Sequence, residues 1–138
     1  VTRDAVELLF VYGTLRSDAG HPMRDVLSAA GSRIGPATTI GTLLRIDWYP
    51  GLLLAPGPGP VIGELWQIHH GGIWPRLDAY EGCGESDEPP HEYVRRPLQT
   101  LSESLGEASA WAYVYTGPED GCEVIQSGDW LRAHDTTR

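Results

Sequence analysis

The chain has 138 residues, 41% of them hydrophobic and 21% charged, with a net charge of −9, a profile that suits one globular domain with a core of its own. Nineteen carboxylates against ten basic residues would repel a nucleic-acid backbone. No apolar run approaches the ~20 residues that span a bilayer, and Arg3, Asp4 and Glu7 interrupt any signal-peptide pattern.

One domain over residues 1–138, in the cytoplasm, with no nucleic-acid or membrane partner, is therefore the expectation. All ten basic residues are arginine. The absence of lysine removes Schiff-base chemistry and the phosphate-binding P-loop, and the absence of asparagine removes a Cys-His-Asn triad. Cys83 and Cys122 are far apart and lack a CxxC partner, while the adjacent His69 and His70 would point to opposite sides of a strand. No metal site follows from such spacing, and the cysteines read as reduced thiols, with a disulfide between them as the open alternative.

In chain order, "LLFVY" (8–12) reads as a buried strand leading into Gly13-Thr14, and "HPMRDVLSAA" (21–30) as a helix stopped by Gly31. "TTIGTLLRI" (38–46) reads as one long strand bent at Gly41. A turn at Tyr49-Pro50-Gly51 precedes a short apolar strand, and the Pro/Gly run 56–60 connects to the strand "VIGELWQI" (61–68). "GGIWPRLDAYEG" (71–82) switches to helical period, with Pro75 in the first turn and Gly82 at the end. After the acidic loop "CGESDEPPHE", the strands "YVRRPLQTL" and "SAWAYVYTG" flank a polar connection at 102–108, and Trp130 in the tail is expected to tuck against the body. Strands outnumber helices and follow one another. That ordering gives an α+β architecture with a largely antiparallel, barrel-like sheet.

Two features carry chemistry. Gly13 lies where backbone N–H groups of a turn can be held open for an anion, although such a short motif also fits a plain β-turn. Glu81 closes a helix beside Leu77, Ala79 and Tyr80, an apolar setting that raises a carboxyl pKa toward the range useful for acid–base work. Asp78, three residues earlier, could share its face. Two carboxyls from one helical turn reach a substrate from one side, however, and a glycosidase needs them on opposite sides. Ser127 sits in "QSGDW", not in a G-x-S-x-G elbow, and the tryptophans at 48, 66, 74, 111 and 130 have the spacing of core residues.

"FVYGTLR", "LDAYEG", "EYVRR", "AWAYVY" and a terminal "SGDW" occur together in that order between about residues 8 and 131. The set resembles the γ-glutamylcyclotransferase-like family, which includes γ-glutamylamine cyclotransferases and the avirulence-induced-gene-like proteins. The resemblance implies a compact β-barrel with flanking short helices and a cavity at one end. It implies that Tyr12, Gly13, Thr14 and Leu15 line that cavity around the substrate's glutamyl group and that Glu81 is the catalytic carboxylate. Tyr115 matches a tyrosine facing the same cavity, with Tyr113 on the same strand face as the open alternative. The implied reaction is attack of a substrate's α-amine on its own γ-glutamyl carbonyl, releasing pyroglutamate and an amine or amino acid. It requires no cofactor and no metal, and the partner is a small γ-glutamyl molecule. The alternative is a member that binds a small amino acid or amine without turning it over. The wall facing the leaving group is expected from "IDWYPG" and the acidic loop 83–92, where a second carboxylate would be unwelcome.

Overall fold

The computed structural model describes residues 7–13, 23–46 and 48–131. Eight strands and two short helices follow in the order β1 (Glu7–Val11), α1 (Met23–Ala30), β2 (Gly31–Ile40), β3 (Thr42–Arg45), β4 (Pro50–Leu53), β5 (Pro60–Ile68), α2 (Ile73–Glu81), β6 (Tyr93–Ser102), β7 (Gly106–Tyr115) and β8 (Glu123–Val124). Five strands close into a barrel in the order β1-β5-β2-β6-β7, and β4-β3-β8 form a separate three-stranded sheet. All barrel pairings are antiparallel except the closing seam, where β1 meets β7 in parallel at Leu9 and Trp111.

Alternation along β1 divides the interior in two. Leu9 and Val11 join Leu27 of α1 and Ile73, Trp74 and Leu77 of α2 in the layer under the helices. Phe10 and Tyr12 face the other way, toward Leu43, Leu52, Leu65, Val114 and Trp130. Trp130 is 1% exposed, so its ring is sealed into the core as the sequence predicts.

Three expectations change. The strand at 38–46 is two strands in different sheets, and its first half begins at Gly31, directly after α1 with no loop. Gly41 is the crossing point: a Cβ there would lie 2.7 Å from the Leu53 carbonyl oxygen and 2.9 Å from Leu52 Cδ1, so the close approach of β4 demands glycine. The hairpin joining β6 and β7 is tighter than 102–108, because the ladder runs through to Ser102 opposite Gly106. Gly106 makes that turn at φ +66, in the left-handed region that glycine enters freely.

Candidate active site

α2 carries the site. Gly82, just past the helix, has φ 82 and donates its N–H to Ala79 O, while Cys83 N–H reaches Asp78 O at 2.9 Å. These are the two bonds of a Schellman stop, and they make Glu81 the last helical residue. The helix packs by Ile73, Trp74 and Leu77, which sets its C-terminal end beside the cavity.

That cavity, of about 260 Å³, is lined in part by Phe10, Val11, Tyr12 and Gly13 from β1 and the turn after it. Trp48, Tyr49 and Pro50, with Tyr80 and Glu81 from the end of α2 and Glu92, Tyr93 and Tyr113, are the other described residues that line it. The Glu81 carboxyl makes no hydrogen bond to the described residues. Burial first, and the nearby Glu92 carboxylate second, push its pKa up to about 7. The carbonyl end of the helix acts in the same direction, since it disfavours a negative charge. A carboxyl poised there gives and takes a proton near neutral pH.

The tyrosines around it are committed to the protein. Tyr12 Oη donates to Tyr113 O at 2.5 Å and accepts from Leu52 N–H at 3.2 Å, stapling β1 to β7 and β4. Burial, then the Glu81 charge, raise its pKa, so it stays a neutral phenol. Tyr93 Oη donates to Pro50 O, and Tyr49 Oη to Glu92 Oε2 at 2.6 Å. Tyr113 Oη donates to Asp78 Oδ1 at 2.6 Å. Arg95 grips the same Asp78 carboxylate with Nε and Nη2, at 2.9 and 3.1 Å. Burial alone would raise Asp78, but the hydrogen bonds from Arg95 and Tyr113 and the arginine charge more than offset it and hold its pKa low. Although three residues apart on one helix, the two carboxylates have different fates: Asp78 is locked into a structural pair and Glu81 is left available.

The structure brings Tyr12, Gly13 and Glu81 together at the cavity. Thr14 and Leu15 lie outside the described residues. Tyr115 is not in the lining. Its hydroxyl donates to Pro118 O at 2.6 Å, and its ring packs 5.6 Å from Tyr93 and against Gly51. Tyr113 is the one that reaches the cavity, because Tyr115 lies beyond it where β4 crosses β7. Gly13 passes close to Pro50, whose Cγ would stand 3.0 Å from a Cβ placed there. Glu92 and Tyr93 were not singled out one by one from the sequence. The available signal was the pairing of acidic and aromatic residues in "EYV", close after the helix. Among the described residues no group of three or more His, Cys, Asp or Glu side chains is arranged to hold a metal.

Known proteins share the sequence pattern and the fold of this chain. A family model for gamma-glutamyl cyclotransferase, AIG2-like proteins matches residues 9–132, and the chain belongs to that family. The gamma-glutamylcyclotransferase family protein YtfP of Escherichia coli K12 is 36% identical over 125 residues, covering 89% of this chain and 95% of YtfP. The solution structure of E. coli YtfP superposes with TM-score 0.64 at 33% identity, over 92% of this chain and 98% of that one. An AIG2-like protein from Mus musculus gives TM-score 0.68 at 26% identity, over 88% and 86% of the two chains.

Proposed function

We propose that this chain is a γ-glutamyl cyclotransferase in which Glu81 is the single acid–base group. The observation that carries the reading is a carboxyl near pKa 7, without a hydrogen-bond partner among the described residues, on the wall of a small cavity. The substrate's α-amine arrives as an ammonium. Glu81 carboxylate takes one of its protons, and the freed nitrogen lone pair attacks the γ-carbonyl carbon, forming the ring C–N bond. As the tetrahedral intermediate collapses, protonated Glu81 gives its proton to the leaving nitrogen and the bond from that carbon to it breaks; the regenerated carboxylate then takes the second proton from the ring nitrogen, leaving a neutral lactam, and passes it to the departing amine. Pyroglutamate and an amine result, with no water consumed and no net proton change on the enzyme. Such proton transfers contribute roughly 10²–10⁴-fold.

Folding the glutamyl group so that its two ends meet supplies much of the remaining acceleration. Tyr12 and Gly13 serve here through ring and backbone, since the Tyr12 hydroxyl is already satisfied on both sides. Thr14 and Leu15 complete the glutamyl pocket in this proposal, and Tyr113 takes the place expected of Tyr115.

A panel of γ-glutamyl-amines and γ-glutamyl-amino acids, followed by pyroglutamate release, tests the reading. Turnover of at least one compound that falls by orders of magnitude in Glu81→Gln is the expected result. Binding without pyroglutamate release from any member of the panel would instead identify a non-catalytic binder.

A further inference from the structure

Among the described residues the cavity is lined by two carboxylates, and only one is used by the reaction just described. Glu92 is exposed at the mouth but not adrift. Thr116 N–H donates to its backbone oxygen at 2.7 Å, and Tyr49 Oη holds its Oε2 at 2.6 Å. Tyr49 in turn meets Trp48 edge-on, with ring centroids 5.0 Å apart at 82°. Trp48 lines the cavity yet is 67% exposed. An indole displayed beside an oriented carboxylate presents the two surfaces that attract an organic cation, a π-face and an anionic acceptor.

No arginine or histidine lines the cavity among the described residues. Arg95, which is not among the described lining residues, is engaged elsewhere. Its guanidinium pairs with Asp78 and lies 4.6 Å from the Trp74 ring centroid and 5.0 Å from that of Trp111. A leaving group ending in a carboxylate would thus meet Glu92 with no cation from the described lining to offset it.

We propose that the preferred leaving group is an amine bearing a second positive charge, a diamine or longer polyamine, held at the mouth by Glu92 and Trp48. This rests on the cyclotransferase reading and names its substrate class. The glutamyl α-ammonium belongs to Glu81; the distal ammonium belongs to Glu92.

The test compares γ-glutamyl-diaminobutane with γ-glutamyl-butylamine, which share the scissile amide and differ in one terminal amine. The ratio of their kcat/KM values is measured in the wild-type chain, Glu92→Gln and Trp48→Ala at one pH, so that any change in Glu81 basicity cancels. The wild type should favour the diamine compound by about tenfold or more, and both variants should bring the ratio down, Glu92→Gln to near unity. A wild-type ratio near unity overturns the proposal. So does a Glu92→Gln variant that slows both compounds by the same factor, which would assign Glu92 to the shared α-ammonium. The dissociation constants of both compounds for Glu81→Gln, by calorimetry, read the same preference without turnover. If neither compound yields pyroglutamate while another member of the γ-glutamyl panel does, this proposal is overturned and the cyclotransferase reading stands; if no member does, that reading has failed, and the ratio of dissociation constants still decides whether the mouth selects a cation.

Discussion

Glu81 in its neutral form suits the fold, and in its charged form it suits the proposed chemistry. Its pKa rises from 4.5 to about 7 on folding, so between those values the unfolded chain gives up its proton first. Stability therefore falls as pH rises through that window and stays lowered above it. Glu81→Gln removes the penalty, and the variant should be more stable than the parent above pH 7, by about 1–3 kcal/mol. Thermal melts of both proteins from pH 4 to 8 check this: the two curves should diverge as pH rises. The acid limb of kcat/KM should likewise sit near pH 7. Glu92→Gln should move it down, because the Glu92 charge is one cause of the shift, while Tyr12, Tyr93 and Cys83 around Glu81 remain uncharged there. Burial, then the charges of Asp78 and Glu81, lift the Cys83 thiol to about 11, which keeps it protonated in that range. Glu81 was legible in the sequence because an apolar helix end next to glycine is a local pattern. Which tyrosine of "AWAYVY" reaches the cavity was not legible. Alternation puts Tyr113 and Tyr115 on one face, and the choice is made by β4, whose Gly51 lies against the Tyr115 ring.

At the level of the element, α2 is held to the barrel by a clamp that the sequence presents only in pieces. Arg95 grips Asp78, stands between Trp74 and Trp111, and leaves the Tyr113 hydroxyl to share the same carboxylate. Asp78→Asn should cost roughly 1–3 kcal/mol of stability by weakening several partly buried charged hydrogen bonds at once. It should lower pyroglutamate release far less than Glu81→Gln; denaturant melts and steady-state rates on the two variants separate the effects. Gly82→Ala tests the helix stop. Nothing crowds a Cβ there, so only the φ of +82 opposes it, and a loss of about 1 kcal/mol is expected. The helices and most strands were readable because their apolar periods are strong. The first half of β2, "GSRIGPA", was not, since glycine and proline depress a strand signal. It survives because β5 pairs with it along its length, past a bulge between Arg33 and Gly35. Pro36 stands just before the β6 pairing begins at Ala37, where its missing N–H breaks no rung to β6.

Across the molecule, a charge of −9 surrounds a cavity lined by the carboxyls of Glu81 and Glu92. Such a field draws a cation in and weakens as ions screen it over about 10 Å at 0.1 M salt. For γ-glutamyl-diaminobutane, kcat/KM should decline as salt rises, whereas the butylamine compound should change little; a rate series in sodium chloride distinguishes the two. The barrel architecture itself was legible as a run of consecutive strands. Its division into a five-stranded barrel and a three-stranded sheet was not, because that choice turns on the steric fit of Gly41 beneath β4 and not on any property of residues 38–46 taken alone.

The parallel seam between Leu9 and Trp111 also orders events in time. The β6–β7 hairpin closes through a short turn and needs only near neighbours, whereas the seam joins two residues about a hundred positions apart in the chain. Contacts of such separation are slow, since loop entropy must be overcome before they give any return. Tyr12 and Tyr113 meet across this same joint, with the hydroxyl of one on the carbonyl of the other. The cavity wall is thus completed by the closing contact of the barrel, so a refolding chain should regain ligand binding only with its final tertiary signal, well after its hairpins have formed.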